Sequence, residues 1–371
     1  MAALLTQAYM KLRPIPLPPP DTFAGQTAVV TGGTSGLGFA TAVHLLRLGA
    51  AEVIISARDT ARGRDAAAQI ALEAASGEGG DNKMPLGQVR AIELDMSRYS
   101  SVVAFAEQVK QVKRGKGGVD VVNLNAGMIG TVRKGARGLV SGIPRLIPSS
   151  RSRSLQFVTV VTIQTRIFLD FLIEGRQFML MTFPIYREQN LQTNSLSTTL
   201  LAALLLPYLK SERANRSFPA HLTLVGSMKY TSPNINQWHK WASQEDQGSG
   251  GVLKHLNKPE NFVSGDDRYA STKLILQDAF EELVKLARTD GGNGPPQVVM
   301  NTVCPGIVKT GLARDYQARG GLGIRLAVGA FQGLFGKSAS DGARSYLAAV
   351  TTKENQHGDF IQFYKSETQY K

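Results

Sequence analysis

The 371-residue chain has one cysteine, Cys304, which excludes an intrachain disulfide framework and a cysteine-rich zinc site. Histidine is scarce too. Five (His44, His221, His239, His255 and His357) are scattered, with no HExxH or other paired spacing, so no metal is expected. Acidic residues are outnumbered, 29 against 42 lysines and arginines, for a formal charge of +13. Such an excess raises nucleic-acid or anionic-membrane binding. Its placement argues against a nucleic-acid partner. The stretch Thr131–Tyr186 holds eight Arg/Lys (Arg133, Lys134, Arg137, Arg145, Arg151, Arg153, Arg166 and Arg176) against Asp170 and Glu174, nearly half the excess in one segment.

Long apolar runs are also missing. A bilayer helix needs about 20 mostly uncharged residues. Met1–Pro20 starts apolar but soon meets Lys11, Arg13 and a proline run, and Leu155–Phe183 is broken by Arg166, Asp170, Glu174 and Arg176. Neither a signal peptide nor a membrane span is expected, and the default location is cytoplasmic. Hydrophobic residues make up 43% and charged residues 19%, the balance of a globular enzyme with a sizeable core.

Short apolar runs alternate with helical patterns. Strands are expected at Thr27–Val30, Glu52–Ser56, Gln88–Leu94, Val119–Leu124, His221–Val225, Val298–Cys304 and Asp359–Tyr364. Helices are expected at Leu37–Leu48, Thr60–Ser76, Ser100–Val112, Glu188–Leu209, Tyr269–Leu286 and Ser338–Val350. Gly77–Gly87 and Ser227–Asp266 read as loops, and Ala313–Lys337 as a Gly-rich apolar segment. This alternation predicts an α/β fold: one Rossmann-type doubly wound domain, its central parallel sheet flanked by helices. The domain would span residues 22–371, behind a Pro-rich arm at 1–21 and interrupted by the atypical segment 131–186.

Thr31–Gly38 reads TGGTSGLG directly after the first expected strand and at the start of a helix. Glycines permit a tight turn, and the helix N-terminus offers free N–H groups to a pyrophosphate. Gly32, Ser35, Gly36, Leu37 and Gly38 are therefore candidate nucleotide-binding residues. At the end of the second strand stands Arg58, where NAD sites usually carry a carboxylate; an arginine there can hold a 2′-phosphate. Asp59 follows it, yet NADP(H) is favoured over NAD(H). Asp95 after the third strand could accept from an adenine amino group. Asn125, in Asn125-Ala126-Gly127 after the fourth, lies where small neighbours let backbone pass close to a cofactor.

Tyr269 and Lys273 lie four residues apart, on one helix face. A phenol with a pKa near 10 is a poor acid or base at neutral pH, and a nearby ammonium favours its phenolate. Ser227, after a strand, could hold a substrate oxygen beside Tyr269. Asn194 is a polar residue in mid-helix. Pro305, Gly306, Val308 and Thr310, in PGIVKT, follow the strand ending at Cys304 and could place backbone groups and a hydroxyl beside a carboxamide. Cys304 itself reads as a buried packing residue.

TGGTSGLG, Asp95, NAG, Asn194, Ser227, YASTK and PGIVKT stand in the order found in the short-chain dehydrogenase/reductase family, which the chain resembles over about Thr22–Tyr364 outside Thr131–Tyr186. The opening FAGQTAVVTGGTSGLG and the late HGDF resemble fungal members from secondary metabolism. The resemblance implies that Tyr269 is the acid/base and that Lys273 tunes it and binds the nicotinamide ribose. Ser227 would orient the substrate oxygen, and Asn194 would hold a relay water. The Gly-rich turn would bind phosphate, Asp95 adenine, and Thr310 the carboxamide. A small carbonyl or alcohol is the implied partner, with a homodimer or tetramer as the usual assembly. The rival expectation is a nucleotide-binding pseudoenzyme impaired by the extra segment.

Two departures stand out. The distance from Gly127 to Asn194 far exceeds the family pattern, and the surplus lies in Thr131–Tyr186. Three readings are open: a lid or partner-binding insertion, a membrane-associating hairpin, or a retained intron translated in frame, the last being favoured. The stretch between Ser227 and Tyr269 is also long. It holds both tryptophans, Trp238 and Trp241, which would either wall an apolar substrate pocket or pack on the core.

Overall fold

A computed structural model describes residues 9, 11–12, 14–76, 87–112, 115, 117–130, 135–137, 186–244, 251–289, 292–313, 318, 321–362 and 365–366. Most of the atypical segment lies outside these residues, as does most of the loop expected at Gly77–Gly87.

The elements run β1 (Thr27–Val30), α1 (Gly36–Arg47), β2 (Glu52–Ala57), α2 (Thr60–Ala75), β3 (Gln88–Glu93), α3 (Tyr99–Lys110) and β4 (Val121–Leu124). A short antiparallel ribbon follows, β5 (Gly135–Arg137) with β6 (Tyr186–Glu188), in which Gly135 pairs with Glu188. Helix α4 comprises Gln189–Leu191, a π-helical turn Gln192–Leu196 and Ser197–Ser211. Then come β7 (Ala220–Val225), α5 (Ile235–Gln244), α6 (Gly251–Asn257), α7 (Gly265–Leu286), β8 (Val298–Cys304), α8 (Leu322–Phe335), α9 (Ala339–Val350), β9 (Phe360–Gln362) and β10 (Lys365–Ser366).

Strand order is β10-β9-β8-β7-β4-β1-β2-β3. Seven strands are parallel, and only the edge strand β10 runs antiparallel, against β9. The parallel strands are buried because alternate residues feed two cores. Val29 and Ile54 join the cluster built with α3, α4 and α7; Ala28, Val30, Val53 and Ile55 join the one built with α1, α2 and α9. The chain leaves β1 toward β2 and β3 and returns to β4 on the other side. The carboxyl ends of β1 and β4 therefore border the crevice where such sheets bind ligands.

Two expectations need correction. The stretch 227–266 is not a plain loop, since it carries α5 and α6. Trp238 is buried there with Leu191, Leu196, Val252, Leu256 and Ile275, and this local cluster supplies the burial that such short, polar helices cannot find alone. Trp241 stacks on His255 at 4.0 Å. The tryptophans therefore pack this subdomain onto α4 and α7. The Gly-rich stretch 313–337 likewise contains α8, most of which is exposed, with Leu322, Leu326 and Leu334 open to solvent. Among the described residues no helix is long and apolar enough to cross a membrane. The HGDF motif is structural: His357 accepts from Met300 N–H at 3.1 Å through Nδ1, its Nε2 lies 3.0 Å from the Val284 carbonyl, and it thereby locks β8 to α7.

Candidate active site

The Gly-rich turn is shaped by what a side chain would hit. A Cβ on Gly38 would lie 2.5 Å from the Gly32 carbonyl oxygen and 2.6 Å from Asn125 Nδ2, so only glycine lets α1 start this close to β1 and β4. Gly32 and Gly36 hold φ of +69° and +59°, which glycine tolerates without strain. The turn is stapled from both sides. Gly32 N–H donates to Ser56 Oγ at 2.9 Å, Asn125 Nδ2 donates to the Thr31 carbonyl at 2.9 Å, and Ala126 N–H donates to Thr31 Oγ1 at 2.9 Å. Ser35 precedes α1 but makes no side-chain cap, and no acidic residue stands in the first turn. The N–H groups and the positive dipole end of α1 therefore face the crevice uncompensated by their own helix.

Arg58 is exposed just past β2. Its neighbour Asp59 caps α2, accepting from Arg62 N–H at 2.8 Å. Asp95 accepts from Ser97 N–H at 3.0 Å, from Ser97 Oγ at 2.7 Å and from Arg98 Nε at 3.0 Å, so local partners already fix its carboxylate.

Tyr269 and Lys273 sit on α7, which starts a turn earlier than the sequence suggests, capped by Ser264 accepting from Asp267 N–H at 3.1 Å. Both side chains are buried. Lys273 Nζ donates to the Val225 carbonyl at 2.7 Å and lies 5.6 Å from the Tyr269 ring centre. Burial pushes the Tyr269 phenol well above its ordinary value, and a hydrogen bond from Ser227 pulls it back only in part. Burial also draws Lys273 down to about 8, opposed weakly by the nearby Cys304. Desolvation thus outweighs the mutual tuning expected for this pair and shifts both groups toward their neutral forms, although at about 8 Lys273 still keeps its ammonium at neutral pH. Ser227 starts the turn after β7, its Oγ 3.3 Å from Lys229 N–H. The structure brings Ser227, Tyr269 and Lys273 together.

Asn194 lies in the π-helical turn of α4, a backbone irregularity frequent at functional positions. Its side chain closes a reciprocal pair with Met128, accepting from N–H and donating to C=O, both at 2.8 Å, and donates to Thr272 Oγ1 at 3.2 Å. It thereby ties the NAG turn to the helix bearing Tyr269. Pro305, Gly306 and Val308 follow β8 half-buried. A Cβ on Gly36 would lie 3.5 Å from Thr310 Cγ2, so this turn closes on the Gly-rich turn. Cys304 is buried and its thiol is pushed up by burial, in keeping with a packing role.

Sequence reasoning missed Tyr346 on α9. Its hydroxyl donates to Asn125 Oδ1 at 2.9 Å, completing the clamp on the NAG turn. A tyrosine in an amphipathic helix carries no signal that distinguishes this role from core packing. It also missed Glu188, buried at the start of α4, which accepts from Asn190 and Leu191 N–H at 3.0 and 2.9 Å. Glutamate is not among the residues preferred as helix caps, so the sequence carried no clear signal for it.

A family profile for short chain dehydrogenases matches residues 26–137, ending with the last residue of β5. The short chain dehydrogenase opdN of Penicillium oxalicum is 30% identical over 363 residues, covering 97% of this chain and 93% of its own length. The short-chain dehydrogenase/reductase phmF of Phaeosphaeria nodorum is 29% identical over 352 residues, covering 95% and 81%. Among solved structures, the NADH-dependent reductase A1-R′ complexed with NAD gives a TM-score of 0.51 at 17% identity, covering 92% of this chain and 96% of that one. A chain described as a short chain dehydrogenase from Shigella flexneri, complexed with NADP, gives 0.51 at 16%, covering 94% and 100%. Identities this low establish a shared fold and nothing more.

Proposed function

The chain belongs to the short-chain dehydrogenase/reductase family, and we propose that it interconverts a carbonyl and a secondary alcohol with NADP(H). The observation that carries this reading is the convergence of Ser227, Tyr269 and Lys273 at the carboxyl ends of β7 and β8, beside the turn 305–310. The residues present fit a dinucleotide. Gly38 lets the start of α1 pack tightly against the Gly32 carbonyl and Asn125, and the open N-terminus of α1 suits a pyrophosphate. Gly32, Ser35, Gly36, Leu37 and Gly38 would hold the phosphates, Asp95 the adenine end, and Asn125, Pro305, Gly306, Val308 and Thr310 the nicotinamide half. When bound, the dinucleotide supplies or accepts the hydride.

The chain's own residues handle the oxygen and its proton. Ser227 and Tyr269 would bind the substrate oxygen through their hydroxyls. Tyr269 would give its proton to the forming alkoxide in reduction and take one from the alcohol in oxidation. Because burial disfavours a bare phenolate, the Lys273 ammonium is needed to offset its charge. The Asn194 side chain is spent on Met128 and Thr272, so its main chain, in the π-helical turn, is what remains to hold a relay water. Asp59 is committed to its helix, which leaves Arg58 as the charged group at the end of β2 and supports NADP(H).

The substrate proposed is an apolar or aromatic small molecule of secondary metabolism, received beside half-exposed Met228 and the Tyr230–Phe360 ring pair. Incubating the protein and NADPH with a panel of apolar and aromatic ketones tests the chemistry. Carbonyl-dependent NADPH oxidation with alcohol product, lost in Tyr269→Phe, is expected. Turnover retained by Tyr269→Phe would remove Tyr269 from its role.

A further inference from the structure

Lys337 is a buried cation with no part in the reaction described above. It follows α8 and directly precedes Ser338, which caps α9. Its backbone is pinned on both sides: its N–H donates to the Ile307 carbonyl at 3.0 Å, and its carbonyl accepts from Lys309 N–H at 2.9 Å. This parallel bridge opposite Val308 fixes the lysine against the turn 305–310. The side chain is only 2% exposed. Among the described residues its ammonium makes no hydrogen bond or ion pair. Asp341, the acid on the next helical turn, favours the lysine's charge from a distance, but its carboxylate is bonded by the Ser338 hydroxyl at 2.6 Å and paired with Arg344 at 3.5 Å. The neighbouring Cys304 is held as a neutral thiol by its burial. Burial disfavours the ammonium, and Cys304 and Asp341 offset that only in part, so the charge has an incomplete counterpart within the chain.

The surroundings say what anion would fit. A Cβ on Gly342 of α9 would lie 2.7 Å from Leu37 Cδ2 and 2.8 Å from Val308 Cγ2. Gly36 faces Thr310 across a similar short gap. The start of α1, the turn 305–310 and the Val308–Lys337 bridge therefore close on one crevice at the carboxyl ends of β1 and β8. A dinucleotide pyrophosphate carries two negative charges, whereas a helix terminus offers about half a positive one. Arg58 lies at the far, adenosine end, and Lys273 is bonded to the Val225 carbonyl beside Tyr269.

We propose that Lys337 is a cofactor-anchoring residue, whose ammonium meets the pyrophosphate of the nicotinamide dinucleotide. The proposal rests on the nucleotide-binding reading above and adds to it the full positive charge that none of the residues assigned there supplies. Lys337 would then be a binding residue that trades stability of the free protein for affinity.

The test uses the full-length protein, Lys337→Gln and Lys337→Arg, with three probes: NADPH, ADP-ribose, which has the pyrophosphate, and 2′-AMP, which lacks it. Binding is read by nicotinamide fluorescence and calorimetry. Lys337→Gln should weaken NADPH and ADP-ribose by about tenfold or more, as loss of a charge-assisted contact does, and leave 2′-AMP unchanged. Lys337→Arg should keep most of the affinity. Without ligand, Lys337→Gln should melt no lower than the parent protein, because it removes a buried charge. Undiminished ADP-ribose binding by Lys337→Gln overturns the proposal. So does a lower melting temperature with equal losses for all three probes, which would mark a structural lysine. If the parent protein binds neither NADPH nor ADP-ribose, the nucleotide reading fails first and takes this proposal with it.

Discussion

The Lys273 ammonium stands 5.6 Å from the centre of the Tyr269 ring while donating to the Val225 carbonyl at 2.7 Å. The anchor to Val225 fixes the long lysine chain, so its charge stays beside the phenol. Replacing Tyr269 by Phe keeps the ring packing and removes the proton. kcat should fall by about two to four orders of magnitude, the usual share of a general acid/base, with NADPH affinity nearly unchanged. Steady-state kinetics beside a fluorescence titration separates the two effects.

Burial of Lys273 makes a prediction about pH and stability. Its pKa is about 8 in the folded protein against 10.5 for the free side chain. Between those values the unfolded chain binds more protons, so stability rises with pH. The penalty is complete below about pH 8 and gone above 10.5, and is on the order of 3 kcal/mol. Lys273→Met abolishes it. The melting temperature of the variant minus that of the parent should therefore fall as pH rises from about 7 to 10. A difference that stays flat across this range contradicts the buried charge.

Arg58 and Asp59 are adjacent but should separate cleanly by mutation. Arg58→Ala should lower the preference for NADPH over NADH by about tenfold, the scale of one lost charge-assisted pair. Asp59→Ala removes the cap on α2 and should cost about 1 kcal/mol of stability without moving that preference. Competitive titration of both nucleotides, with urea unfolding, checks the pair.

Two glycines make opposite predictions. Gly38→Ala forces a Cβ to 2.5 Å from a backbone oxygen, so the turn must open and nucleotide binding should be lost. Gly329→Ala, in exposed α8 with nothing within 4 Å, should stabilise the protein by about 0.5–1 kcal/mol through helix propensity. Thermal melts and NADPH titration of both variants decide the matter.

Most of the parallel sheet was legible because strands such as β1, β4 and β8 are short runs rich in valine that end at turns containing Gly or Asn, and helices such as α1 and α3 separate them. Tyr269, Lys273 and Ser227 were legible through the ordered set of motifs that resembles the family; the four-residue spacing of Tyr269 and Lys273 alone carries little weight. What was not legible depends on partners distant in sequence. Helices α5 and α6 pack around Trp238 against residues of α4 and α7. Tyr346 acquires its role from Asn125, and Lys337 from a bridge to Val308, contacts that no local pattern encodes.

The ribbon of β5 and β6 joins the two ends of the atypical segment, Arg137 opposite Tyr186. Replacing residues 138–185 by a turn of about two to five residues suits such a hairpin. The shortened protein should keep its NADPH affinity and melt no lower than the parent. Sequencing the transcript addresses the origin of the segment: a message without these codons is expected, and one that keeps them rules out a retained intron.

The most direct test of the account is a titration of NADPH and NADH into the full-length protein, followed by nicotinamide fluorescence. Saturable binding with NADPH the tighter ligand, undisturbed by Tyr269→Phe and abolished by Gly38→Ala, is the predicted result. Binding of neither nucleotide, by the full chain or by the form lacking 138–185, would contradict it.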